Sequence, residues 1–267
     1  MTKVPVYGAD GKNAGEVSLP AAFSEPVSPK LIARAAMADA TWYFQPKGAY
    51  PFAGLQTSAR YRGRKEDFGS IKNHGISRLP REVLPGGKFG KVKRIAGAVK
   101  GRRAHPPMVD KRLIEKINKK EYAKALRSAI AATASNSTVA SRGHKVPAKL
   151  ALPIVLDSSV ENLAKTAQAQ MLFENIGIAD DLARSKITRV RTGVGSRKGG
   201  AKRARSVLVV VGNTKCALQH AARNLAGCNV VSAKHLKVMD LAPGAQAGRL
   251  TAYTKQALEA LGKESKQ

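Results

Sequence analysis

Few side chains in this 267-residue chain are spaced for chemistry. Cys216 and Cys228 form no CxxC pair and have no histidine at ligand spacing, and the five histidines (74, 105, 144, 220 and 235) are scattered. No metal and no cofactor are therefore expected, and the two thiols are read as buried and structural. The run TGVGSRKGG at residues 192–200 fails as a dinucleotide loop. Gly193 and Gly195 lead into a basic loop and then a strand, where that fingerprint needs a strand before and a helix after. No GxxxxGK[ST] phosphate loop occurs. VLVVVGNTKCAL (207–218) has the strand, turn and helix order that can present a helix N-terminus to a phosphate, a geometry many α/β domains have without using. Asp157, after the strand-like PIVL, could be an active-site carboxylate, but ending the strand beside a Ser158 helix cap accounts for it better. No acid, base and nucleophile can be assembled from these residues, which argues against an enzyme.

What the chain has in excess is positive charge. Its 47 Lys and Arg against 18 Asp and Glu leave a formal +29, and self-repulsion of that size opposes compaction unless an acidic partner neutralises it. A polyphosphate backbone does so most naturally, because each neutralised phosphate releases condensed counterions. Membrane is the weaker partner: no run of about 18 apolar residues is present, and MTKVPVYGAD lacks the apolar core of a signal peptide, so a cytoplasmic protein is expected. No homo-oligomer is expected.

The charge is concentrated in two places. Between residues 60 and 105 stand Arg60, Arg62, Arg64, Lys65, Lys72, Arg78, Arg81, Lys88, Lys91, Lys93, Arg94, Lys100, Arg102 and Arg103, against Glu66, Asp67 and Glu82 only. Eight of the chain's 13 aromatics (Trp42, Tyr43, Phe44, Tyr50, Phe52, Tyr61, Phe68 and Phe89) lie in this segment or just before it. Basic residues mixed with aromatics and glycines suit unpaired RNA, whose bases stack on rings and guanidinium planes. A solvated linker is the bland alternative, but linkers rarely gather a protein's aromatics, and this one returns to the domain it left. The second cluster, residues 184–206, includes Arg189, Arg191, Arg197, Lys198, Lys202, Arg203 and Arg205, and no acid occurs from Leu182 to Met239. An acid there would repel a phosphate backbone, so its absence over so long a stretch points to a large contact surface.

The elements that must carry these residues read as α/β. VPVYGADGKNAGEVSLP predicts a hairpin from Val4 to Leu19. Ser28 and Pro29 open a helix whose face is Leu31, Ala35, Ala38 and Trp42. From Gln45 to about Pro107 no helical or strand period is found, only turn residues, so the segment is functional or disordered. Asn118 with Glu121 forms a capping box, stapled by Ile117 on Tyr122, for a helix with the stripe Tyr122, Ala125, Leu126, Ala129 and Ile130. Beyond it, short β-branched runs alternate with helical patterns: PIVLD and a helix capped by Ser158 and Glu161, VLVVVG and NTKCALQHAARNLAG, NVVSA, then LTAYT and KQALEALGK. Continuous apolar strands followed by amphipathic helices require a mostly parallel sheet covered on both faces. The expected organisation is one α/β domain, residues 1–45 and 106–267, interrupted by a basic segment at 46–105.

Several stretches together resemble a known family. YGADGKNAGEVSLPAAF, AGLQTSARYRGR, KVKRIAGAVKGRRAHPP, ALRSAIAATAS, AARNLAG, DLAPG and GRLTAYT are similar to the fourth protein of the large ribosomal subunit in its archaeal and eukaryotic form. The resemblance implies a Rossmann-like globular domain on the solvent side of the subunit and a long extension threading among rRNA helices, beside neighbouring ribosomal proteins. It implies that the extension's tip, between Arg78 and Lys91, helps line the nascent-peptide exit tunnel. Arg60, Arg62 and Arg64 become RNA contacts entering the extension, and Lys91, Lys93, Arg94, Lys100, Arg102, Arg103 and His105 contacts leaving it. Two rivals stand beside it. An RNA-modifying, methyltransferase-like enzyme would need a Gly-rich cofactor turn that PIVLDSSVEN lacks, and a general nucleic-acid packing protein would hold duplex DNA as strongly as folded rRNA.

Overall fold

The alternation at the start of the chain folds as a hairpin, β1 (Lys3–Tyr7) against β2 (Asn13–Ser18), with Val4 and Val6 buried. The computed structural model describes residues 3–147 and 150–264, and the chain divides into two units: residues 1–43 with 114–267, and residues 44–113. In the first unit, α1 (Pro29–Thr41) follows the hairpin. The second unit holds one short antiparallel pair, β3 (Arg81–Val83) and β4 (Phe89–Val92). Back in the first unit come α2 (Lys119–Thr133), α3 (Asn136–Ser141), β5 (Ile154–Leu156), α4 (Thr166–Ile176) and α5 (Ala179–Lys186). A basic hairpin of β6 (Thr188–Val190) and β7 (Ala201–Arg203) precedes β8 (Leu208–Val211), α6 (Ala217–Arg223) and β9 (Asn229–Ser232). The chain then forms α7 (Val238–Leu241), β10 (Thr251–Thr254) and α8 (Lys255–Glu264).

Six strands make the main sheet, in the order β2, β1, β5, β10, β8, β9, and every pair except β1 with β2 is parallel. The α/β expectation holds. The reason is visible in β5, β8 and β10, which are buried at every position, as strands covered on both faces must be. Alternate residues feed two cores. Val4, Val6, Val155, Leu208, Val210 and Tyr253 face Ile32, Ala35, Ala129, Leu241 and Leu258. Ile154, Leu156, Val209, Val211 and Ala252 face Leu172, Phe173, Leu182 and Leu218.

Polar side chains, which the apolar pattern does not show, fix how the helices dock. Asp39 on α1 is buried and accepts hydrogen bonds from the Tyr122 hydroxyl (2.9 Å) and the Met239 amide (3.1 Å), joining α1 to α2 and α7. The expected face of α1 is largely the buried one: Ala35 and Ala38 lie in the interior with Ile32, Ala36 and Asp39, and Leu31 is partly covered, whereas Trp42 departs from it, 67% exposed. Ser28 makes no side-chain cap bond; its amide is held instead by Ser128 Oγ at 2.8 Å. The capping box expected at Asn118 is likewise absent, because Glu121 pairs with Arg34 at 2.8 Å. Thr41 Oγ1 accepts from the Glu115 amide at 3.1 Å, so the first unit closes where the chain leaves and re-enters it.

Glu161 is the clearest departure from expectation. It does not cap a long helix; Ser158–Asn162 is a short 3-10 turn begun by Asp157, and α4 starts later, at Thr166. Its carboxylate is buried and accepts from the Gly212 amide (2.9 Å), the Asn213 side-chain amide (3.1 Å) and the Thr254 hydroxyl (2.7 Å). It thus ties together the carboxyl ends of β5, β8 and β10. Arg249, also buried, donates to the Ser206 and Asp240 carbonyls at 2.9 Å each and to Asn229 Oδ1 at 2.7 Å. Burial first, then the charge of Arg205, pulls its guanidinium down to about 10. Truncating Glu161 to Ala leaves the Gly212 amide and the Thr254 hydroxyl without an acceptor, so urea unfolding of the free protein is expected to lose about 3 kcal/mol. Glu82→Ala, in the second unit, should stay within about 0.5 kcal/mol in the same measurement.

Candidate nucleic-acid interface

The second unit is held by backbone contacts within its outgoing limb and between that limb and the returning one. The Ala49 amide donates to the Pro107 carbonyl (3.1 Å), Arg60 and Arg81 exchange backbone bonds at 3.3 Å, and the Ile71 amide reaches the Arg62 carbonyl at 3.0 Å. Gly54, at φ +76°, sits so close to the opposite limb that a Cβ would lie 2.5 Å from the Arg102 nitrogen. Between the limbs, β3 and β4 pair across a turn in which Gly86 and Gly87 take positive φ. This is strand structure where the sequence shows no strand period, because Pro, Gly and Arg dominate the segment and the apolar residues at its paired positions are only Val83, Phe89 and Val92, the last opposite Arg81. Among the described residues of this unit, Ala59 and Ile71 are the only buried hydrophobics. Two such side chains cannot offset the chain entropy of the unit.

The nominated cations of this unit are mostly presented outward. Arg60, Arg64, Lys65, Arg78, Lys88, Lys91, Arg94, Lys100, Arg102, Arg103 and His105 are exposed, whereas Arg62, Lys72, Arg81 and Lys93 are partly covered. Arg81 has an internal task as well, donating to Ser77 Oγ at 2.7 Å and so bracing the hairpin. Among the described residues, no ion pair involves this unit, so its cationic groups lie without carboxylate partners. Tyr50, Phe52, Tyr61 and Phe68 are exposed, Phe68 by 95%, while Phe89 leans on His74 with ring centroids 6.2 Å apart.

On the first unit the second cluster forms the β6–β7 hairpin, exposed at every strand position. Its register sets Arg189 opposite Lys202 and Thr188 opposite Arg203. Like charges directly opposite destabilise a ladder, and no acid of the hairpin relieves them. Arg191, Arg197 and Arg205 are exposed too, and Arg205 donates to Asn229 Oδ1 at 3.1 Å. The side chain of Lys198 lies outside the described residues. The hairpin stands on a buried carboxylate that the charge count does not reveal. Asp181 accepts from the Lys145 amide (3.0 Å), Arg184 Nε (2.9 Å) and Ser206 Oγ (2.6 Å), with His144 Nδ1 at 3.1 Å. Burial alone would raise this carboxyl; the bonds from His144, Arg184 and Ser206 outweigh it and hold Asp181 well below the usual carboxylate range. Its one signal in the sequence is position, as the last acid before the acid-free run.

The other candidates for chemistry are accounted for structurally. Asp157 accepts from Ser159 and pairs with Lys255 at 2.9 Å, which keeps it ionised. The turn after β8 offers no open anion site at its first amide, because Gly212 N–H already serves Glu161. Cys228 is buried, and burial pushes its thiol up to about 12; Cys216, expected to be buried, is only partly covered. Among the described residues, no group of three or more His, Cys, Asp or Glu is placed to hold a metal.

With this geometry in view, comparison with known proteins is decisive. Residues 17–264 match the profile of the Ribosomal protein L4/L1 family. The chain belongs to the ribosomal protein L4/L1 family. Its relatives include proteins named large ribosomal subunit protein uL4 from three archaea. That of Methanocaldococcus jannaschii is 46% identical over 261 residues, 97% of this chain and 98% of the relative. The Methanococcus maripaludis protein (strain C7) is 43% identical, over 96% of this chain and 97% of its own. The Pyrobaculum aerophilum protein is 42% identical, over 97% of this chain and 89% of its own. For this L4/L1 family member the depressed Asp181 gives a pH prediction. A carboxyl whose folded pKa lies below its unfolded value of about 3.9 stabilises the fold above that pH, and the contribution fades as pH falls from there towards the folded value. Urea midpoints between pH 5 and pH 2 should therefore fall more steeply for wild type than for Asp181→Asn.

Proposed function

We propose that this chain is a structural, non-enzymatic constituent of the large ribosomal subunit in the cytoplasm, where it binds and stabilises large-subunit rRNA beside neighbouring ribosomal proteins. The observation that carries the proposal is the exposed, acid-poor cationic surface of residues 44–113, set among exposed aromatics, in a member of a ribosomal protein family. The names of the relatives, large ribosomal subunit protein uL4, support the choice of subunit. The mechanism is electrostatic. Arg60, Arg64, Lys91, Arg94, Arg102 and Arg103 neutralise phosphates and release counterions, while Tyr61 and Phe68 stack on unpaired bases. Arg189, Lys202, Arg203 and Arg205 extend the contact on the first unit. Residues 46–105 act as the RNA-threading segment, and the turn between β3 and β4, within residues 78–91, is the part that helps line the nascent-peptide exit tunnel.

With so small a core of its own, the segment is expected to gain its final order from RNA. Limited proteolysis of the free protein should cut first within residues 46–105 and leave the flanks, and large-subunit rRNA should suppress those cuts. Equal protection with and without RNA would refute this. On the assembled subunit, the chain should stay bound through a high-salt wash, whereas a protein holding only a surface patch elutes as affinity falls by roughly 0.7 to 0.9 log units per log unit of salt for each phosphate.

A further inference from the structure

Beside the basic hairpin lies a cleft of about 310 Å³. Arg142, Arg184, Arg189, Lys202 and Arg203 line it, from the end of α3, from α5 and from both strands of the hairpin. Two of the five are fixed in advance. Arg142 donates to the carbonyls of Pro243 (2.6 Å) and Gln246, and Arg184 is held by Asp181 and by the Arg205 carbonyl at 2.8 Å. Burial first, and then the charge of Arg184, pulls the Arg142 guanidinium below its usual range. Among the described residues, Arg142, Arg189, Lys202 and Arg203 take part in no ion pair. Asp181, which pairs with Arg184, is fully buried, and its oxygens are already engaged.

A phosphodiester brings one negative charge, so four unpaired cations around one concavity match more than one phosphate. Along a regular helix the phosphates of a strand follow a ridge, whereas a backbone that turns back on itself brings two of them into one concavity. We propose that this cleft binds two phosphates of a sharply turned RNA strand, with Arg142 and Arg184 as its preset forks and Arg189, Lys202 and Arg203 closing on them. The proposal rests on the rRNA-binding reading and adds to it a site and, in Arg142, a residue outside both basic clusters of the sequence.

The test is phosphate-ethylation interference on complexes of the full-length protein with large-subunit rRNA. The pair Arg189→Ala with Lys202→Ala changes exposed side chains only. It should lose interference at phosphates grouped in a single strand turn, with affinity down roughly tenfold or more and the salt slope reduced by roughly 1.4 to 1.8, two phosphates' worth. Arg142→Lys keeps the charge but loses the fork, and should weaken interference at the same phosphates. Lys91→Ala with Arg102→Ala should affect a different set. Scattered losses, or an Arg142→Lys map like that of wild type, overturns the site while leaving rRNA binding intact; failure of the wild type to prefer rRNA over duplex DNA overturns the functional reading itself. Pyrophosphate is titrated separately. If it binds and is lost in the Arg189/Lys202 variant while the RNA map stays unchanged, the ligand is a free polyphosphate, and the assignment to RNA falls.

Discussion

Mutual repulsion among 47 cationic side chains is the constraint under which this structure forms, and the positions of the 18 acids show how it is met. Every ion pair found among the described residues lies in the first unit. Three acids, Asp39, Glu161 and Asp181, are buried at joints between helices and strands, where they organise hydrogen bonds and leave the surface. Withdrawing acids to the interior both fastens the α/β unit and leaves its outside positive. The same few residues therefore serve stability and keep the cationic surface free of competing charge.

The two basic surfaces differ in what holds them. On the first unit, the β6–β7 hairpin is rooted in the Asp181 network and bordered by guanidiniums already fixed by carbonyls. In the second unit, backbone bonds between two limbs and a Gly-Gly turn do most of the work, with little apolar burial. A preset surface loses little freedom on binding, while a loosely held one can follow an irregular partner at the cost of ordering itself.

What could be read from the sequence follows from the range of each interaction. The parallel sheet was legible because a strand buried on both faces needs a run without charged residues and rich in β-branched or aromatic ones, a local property seen in LVVV and TAYT. The charge clusters were legible for the same reason, since charge is counted along the chain. The joints were not. Asp39 meets Tyr122 across 83 positions and Glu161 meets Thr254 across 93, so neither residue looks different from a surface acid or a helix cap until the fold brings its partners in. Trp42 was misplaced on that account, exposed at the end of a helix whose seam Asp39 sets. The β3–β4 pair was hidden by composition, and the basic cleft by distance, because Arg142 lies some forty positions before the hairpin it faces.

The hydrogen bond from the Glu115 amide to Thr41 closes the first unit at its own neck. Everything between those residues is, for the sheet, one closed loop, and the entropy of closing a loop grows only slowly: doubling its length costs roughly 0.6 kcal/mol. The globular unit is accordingly almost indifferent to how long residues 44–113 are. Insertions and deletions there escape the usual penalty for disturbing a core, so the segment's length can drift through evolution until the shape of its partner stops it.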